Sequence, residues 1–207
     1  MTLAERWEAL WTRLHLTIPE EARAERMVAR YEEPQRSYHT LQHLGECLTW
    51  LDATRSLAHD ADLMELAIWY HDAVYEPRRN DNEQASADLA RDHLLRGGAG
   101  TDAATVVTSL ILWTAHDAVP PQGDPALLVD IDLAILGAPA PRYAEYERQI
   151  REEYRWVPMF LFRKRRAALL ERFLQREHIY ATSRLRDQLE PQARINLAAA
   201  IAALLGA

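Results

Sequence analysis

Apolar residues recur along this chain at the three- and four-residue spacing of one helical face. Trp7, Leu10, Trp11 and Leu14 begin the pattern, and Pro19, tolerated in a first helical turn, predicts a second helix running to about Tyr31. Glu32 to Ser37 breaks the pattern and reads as a loop, after which Leu41, Leu44, Leu48 and Leu51 resume it. Asp60 is placed to cap a helix from Ala61 to about Val74, closed by Pro77-Arg78-Arg79-Asn80-Asp81. A further helix is expected from Asn82 to Leu95, stopped by Gly97-Gly98. The next runs from Thr101 to Ala115, although Val106, Val107, Ile111 and Leu112 also admit a strand. Pro120-Pro121-Gln122-Gly123 is a break; Pro125 then opens a short apolar helix ending at Gly137. Pro141 and Pro158 open two more, and Ser183 to Leu205 supplies one or two at the end. The expectation is all-α: a single helical domain over residues 1–207, of about ten helices, with no repeat and no linker.

Composition narrows the class. The chain has 207 residues, a formal charge of −7 and 48% apolar residues including six Trp, enough for a core and too apolar for disorder. Cys47 stands alone, which excludes an internal disulfide and a cysteine-based zinc knuckle. No apolar run approaches the ~18 residues of a membrane span. The acidic balance argues against duplex nucleic acid as a bulk partner. Met1 to Trp7 lacks the basic-then-apolar layout of a signal peptide, so a soluble cytoplasmic enzyme or ligand-binding module, with no membrane partner, is expected.

The eight histidines are unevenly placed. His71-Asp72 follows Leu66-Ala67-Ile68-Trp69-Tyr70, so an imidazole and a carboxylate emerge at the end of an apolar helix. A carboxylate buried there needs a cation or several donors, and a divalent metal satisfies both groups. His39 and His43 are four apart, which on a helix stacks them on one face, where both could share a metal or one could contact substrate. Trp113-Thr114-Ala115-His116-Asp117 again ends an apolar helix in polar groups. Leu127-Leu128-Val129-Asp130-Ile131-Asp132-Leu133 sets two carboxylates in an apolar helix, about 200° apart around it, so both cannot face one ion. The other aspartate then needs a different partner, such as an arginine or a helix N-terminus. His15, His59, His93 and His178 read as surface residues, and Arg163-Lys164-Arg165-Arg166 as a solvated helix face.

Taken in order, His, His-Asp and Asp on successive apolar helices resemble the HD superfamily of metal-dependent phosphohydrolases, in particular its small bacterial members. The strings that carry the resemblance are Tyr38-His39-Thr40-Leu41-Gln42-His43, Trp69-Tyr70-His71-Asp72-Ala73-Val74-Tyr75, Asp81-Asn82-Glu83-Gln84-Ala85-Ser86-Ala87 and Asp130-Ile131-Asp132-Leu133-Ala134-Ile135-Leu136-Gly137. It extends into the last third through Arg151-Glu152-Glu153-Tyr154 and Ala193-Arg194-Ile195-Asn196-Leu197. The resemblance implies His43, His71, Asp72 and Asp132 as ligands of one divalent ion per chain. It favours His43 over His39 and Asp132 over Asp130, and leaves Mn, Mg, Zn, Fe, Co and Ni undistinguished.

Such an ion polarises a phosphoryl oxygen and acidifies water. Asp72 would ligate and orient that water, with Glu83 as general acid or base. Arg36, His39 and His116 are candidates for holding a small phosphorylated substrate, a nucleotide among the possibilities. Asn82 and Asp130 are candidates for orienting ligands through hydrogen bonds. Two other readings stand beside this one. A dinuclear iron oxygenase would need His93 and His116 as extra ligands, and a non-catalytic metal or ligand sensor would need no general acid. A homodimer is compatible with each.

Overall fold

The computed structural model describes residues 1–116, 118 and 120–206, and among these there is no strand. Ten α-helices follow in order: α1 (Leu3–Arg13), α2 (Ala24–Arg30), α3 (Leu41–Thr54), α4 (Ala61–Tyr70), α5 (Asn82–Arg96), α6 (Thr101–Trp113), α7 (Asp124–Asp132), α8 (Ala140–Glu153), α9 (Met159–Leu174) and α10 (Ser183–Leu205). The start signals are local. Thr2 and Glu5 form a reciprocal capping box on α1, and the Asp60 carboxylate accepts from the amides of Asp62 and Leu63 to open α4.

Several boundaries differ from the expected ones. A 3-10 turn, Glu20–Ala22, follows Pro19, and α2 begins only at Ala24. α4 stops at Tyr70, four residues short of Val74, because His71 caps it. The Val106–Leu112 stretch is helical, since the buried positions of α6, Ala104, Val107, Leu110 and Ile111, keep helical spacing. The apolar run after Pro125 is α-helical to Asp132 and then tightens into a 3-10 turn, Leu133–Gly137. The last segment is one helix, with Pro191 accommodated inside it.

The contacts divide the chain into two compact units, Met1–Val129 and Asp130–Ala207. The division falls inside the apolar helix α7, so no change of composition marks it.

In the first unit α4 lies at the centre, packed by α1, α3, α5 and α6. Every residue from Met64 to Tyr70 is buried, including the carboxylate of Glu65. Trp7 of α1 meets Trp69 and Tyr70 of α4 at ring-centroid distances of 5.0 and 5.5 Å. A buried carboxylate is tolerable only when paired. Glu65 is held by Arg6 at 2.7 Å, Arg13 at 3.0 Å and Arg55 at 3.1 Å.

In the second unit α10 packs along α9, α8 and the 3-10 turn. Gly137 permits the close approach: a Cβ there would stand 2.6 Å from the Leu189 Cβ and 2.8 Å from its carbonyl oxygen. Asn196 of α10 donates to the carbonyls of Leu136 at 2.9 Å and Ala138 at 2.8 Å, fixing the same turn. Among the described residues, no helix is long and apolar enough to cross a membrane.

Candidate metal centre

The first unit brings His43, His71 and Asp72 together. His43 stands in the first turn of α3, and His71-Asp72 is delivered by the buried end of α4. The last carbonyls of any helix lack partners within it. Here the His71 ring supplies one, Nδ1–H donating to the Ile68 carbonyl at 2.7 Å. A carbonyl can only accept, so Nδ1 carries a proton and Nε2 is the ring nitrogen turned inward. That Nε2 lies 3.2 Å from the Nε2 of His43 and 3.0 Å from Oδ2 of Asp72. His43 Nε2 lies 3.5 Å from the same oxygen. On its far side, His43 Nδ1 is 2.9 Å from the Tyr38 hydroxyl, which holds the ring in place.

Asp72 Oδ2 is shielded from water and has no hydrogen-bond partner. Burial pushes the Asp72 carboxyl up, but the imidazoles of His71, His39 and His43 outweigh it and leave Asp72 well below the usual carboxylate range. Asp72 Oδ2 and the Nε2 atoms of His43 and His71 therefore converge within 3.5 Å of one another. Three such groups repel one another unless protons or a cation lie between them, and this donor set is one that divalent first-row ions accept.

Cys47, one turn after His43 on α3, belongs to the same pocket. It is buried, with Sγ 3.7 and 3.8 Å from the two nitrogens of His43. The ligand atoms of His43, Cys47 and His71 lie within 4.8 Å of one another, so this buried group could hold a metal ion. The sequence reading passed over Cys47 because it sought paired cysteines. The usable signal was the four-residue spacing from His43 on one helix face.

The remaining candidates are placed as follows. His39 is not on the helix with His43, because Thr40 caps α3 with its hydroxyl accepting from the Gln42 amide at 3.3 Å. His39 precedes that cap, and its half-buried ring stacks on Tyr75 at 4.0 Å. Arg36 does not extend into solvent. Its buried guanidinium donates to the carbonyls of Asp72 at 2.8 Å, His39 at 3.0 Å and Ala73 at 3.4 Å, and pairs with Glu33 at 3.1 Å. It thus cross-links the segment before α3 to the turn after α4. Asn82 closes the loop that follows, accepting from the Glu76 amide and donating to its carbonyl, each at 3.1 Å. Ser86 does the same for Val74 at 3.0 and 3.3 Å. Glu83 is half-buried in the first turn of α5 and makes no hydrogen bond or ion pair with His43, His71 or Asp72 among the described residues.

His93 is not a surface residue: it is 2% exposed, with Nδ1 3.0 Å from the Tyr70 hydroxyl. Its imidazole is pushed below the ordinary histidine value, by burial first and then by Arg30. His15, His59 and His178 are exposed, as expected. His116 follows the end of α6 in a left-handed conformation, φ 57°. Asp117 lies outside the described residues.

In the second unit the paired aspartates part company. Asp130 is 1% exposed and accepts from the amides of Ala181 at 2.8 Å and Thr182 at 2.6 Å and from the Thr182 hydroxyl at 2.6 Å. Thr182 is the N-cap of α10, so Asp130 meets the helix N-terminus that one of the two aspartates was expected to need. Burial raises its carboxyl, against the lowering by those three hydrogen bonds. Asp132 ends α7 and is half-buried.

The chain matches no protein-family model, no curated protein and no solved structure.

Proposed function

We propose that this chain is a metal-dependent phosphohydrolase of the HD type, acting on a small phosphorylated metabolite, with nucleotides the first class to test. The observation that carries the metal part is the convergence of His43 Nε2, His71 Nε2 and Asp72 Oδ2, with the Asp72 oxygen unpartnered and the His71 proton held on the far nitrogen. These three residues would hold the ion, Cys47 offers a soft donor beside them, and the sequence resemblance assigns Asp132 as a further ligand. A bound divalent ion supplies Lewis-acid polarisation of a phosphoryl oxygen and acidification of water. Tyr38 keeps the His43 ring in register, and Arg36 holds the Asp72 and His39 backbones at the distances given above. His39, stacked on Tyr75, is the cation candidate for a phosphate oxygen.

One observation favours a second reading, a metal-binding module without turnover. Arg36, expected to grip the substrate, is spent on backbone carbonyls, and among the described residues Glu83 makes no hydrogen bond or ion pair with His43 or His71. No observation favours the iron oxygenase, because the residue group that could hold a metal among the described residues includes neither His93 nor His116. Purified protein assayed on phosphomonoesters, cyclic dinucleotides and nucleoside triphosphates, with each of Mn, Mg, Zn, Co, Ni and Fe, separates the two remaining readings. Hydrolysis of one class, abolished together with bound metal in Asp132→Asn, supports the hydrolase. Stoichiometric metal with no turnover on any substrate supports the binding module.

A further inference from the structure

The end of α9 that follows Pro158 is unusual for an exposed surface. Trp156, Met159 and Phe160 are 47%, 48% and 76% exposed within five residues of chain. Scattered surface apolar side chains need no explanation, but three large ones together do. Cations stand directly beside them. Phe160, Arg163 and Lys164 fall at the i, i+3 and i+4 positions of α9 and so occupy one face. Arg163, Lys164 and Arg165 are exposed, and they and Arg148 on α8 make no ion pair among the described residues. Only Arg166 of the basic run turns inward, to Glu147 at 2.7 Å. Between α8, α9 and α10 lies an open groove of about 560 Å³, lined by the buried rings of Tyr143 and Phe162, by Ala199 and Ala203, and by Arg148 and Arg163 together with Glu147, paired with Arg166, and Glu152, paired with Arg155.

We propose that this face docks on anionic lipid: phosphate headgroups at Arg148, Arg163 and Lys164, an acyl chain in the apolar groove, and Phe160 inserted at the interface. Charge complementarity decides for lipid over the other occupants. Arg148, Arg163, Lys164 and Arg165 stand together beside exposed aromatic side chains on a chain of net charge −7, so they are not the overflow of a basic protein. A two-fold contact with a second copy would bring like cations face to face. Nucleic acid would use the cations and the rings but leave the apolar groove unfilled. Exposed aromatics beside basic side chains are also the composition of surfaces that lie in a headgroup layer. The proposal rests on the second unit alone and is independent of the metal site.

The test is flotation of the full-length protein with vesicles of phosphatidylcholine alone and of equal parts phosphatidylcholine and phosphatidylserine. The protein should float only with the anionic vesicles. Each cation near such a surface contributes about fivefold, so R163Q/K164Q should lower partitioning about 25-fold. Phe160→Ser should lower it about tenfold, the loss of one inserted aromatic side chain. Both variants change exposed residues, and their helicity and metal content should match wild type, which makes a loss of flotation specific. No flotation with either vesicle, or equal flotation with both, overturns the proposal. So does a concentration-dependent dimer that Phe160→Ser abolishes, or binding of a single-stranded oligonucleotide through Arg163 and Lys164 in protein that ignores vesicles.

Discussion

Replacing Asp130 with asparagine separates the two acids that stand two residues apart. Oδ1 of Asp130 accepts from the Ala181 amide at 2.8 Å, and Oδ2 accepts from the Thr182 amide and hydroxyl, both at 2.6 Å. Asparagine has one oxygen. With that oxygen kept toward Thr182, its NH₂ faces the Ala181 N–H, donor against donor. One buried donor left unpaired costs about 1–3 kcal/mol. Loss of the negative charge at the N-terminus of α10 adds about 0.3–1 kcal/mol. The expected destabilisation is therefore about 1–4 kcal/mol, which for a chain of this size lowers Tm by about 3–16 °C. Far-UV circular dichroism melts of wild type and Asp130→Asn, run with metal analysis of the same samples, read both effects. Metal content should not change. An unaltered melt, or a melt that falls because metal is lost, would refute the assignment of Asp130 to the helix terminus.

Other substitutions test the supporting structure. Glu65→Gln leaves Arg6, Arg13 and Arg55 without their shared carboxylate. Because two of those arginines are more than a third exposed, the loss should be about 2–4 kcal/mol, measured by urea unfolding. His93 titrates below its ordinary 6.5 in the folded protein. The unfolded chain then binds the extra proton first, so this contribution is complete above pH 6.5 and is lost as pH falls through the folded value. In His93→Gln the acid-side slope of stability should flatten, and an unchanged slope would clear His93 of that role. Tyr38→Phe removes the hydroxyl 2.9 Å from His43 Nδ1 and should weaken metal affinity by about 10–100-fold in competition titrations, without unfolding α3.

Helix type and order were legible in the chain because apolar spacing, Asp60 and the proline and glycine breaks are local signals. The His71-Asp72 pair was legible for the same reason: polar groups at the end of so apolar a helix demand a partner. Tertiary commitments were not. Arg36 in a polar loop gives no sign that its five donors will close the turn after α4, and His93 in Arg91-Asp92-His93-Leu94 gives none that Tyr70 will meet it. His39 was placed on a helix because its four-residue spacing from His43 looks helical. Thr40 and the tight turn from the Thr40 amide to the Tyr38 carbonyl, 2.7 Å, start the helix at Leu41, two residues after His39. Cys47 was invisible to a search for cysteine pairs. The inward turn of Arg166 among exposed basic neighbours is likewise set by Glu147 and Tyr146 on α8, far away in sequence.

Metal stoichiometry tests the central claim most directly. Wild type, His71→Ala and the surface control His15→Ala, each dialysed against zinc and manganese and measured by elemental analysis, give the comparison. The converging side chains of His43, His71 and Asp72 predict about one ion per chain in wild type and His15→Ala and none in His71→Ala, with all three proteins folded. Full occupancy in His71→Ala, or an empty wild type, contradicts it.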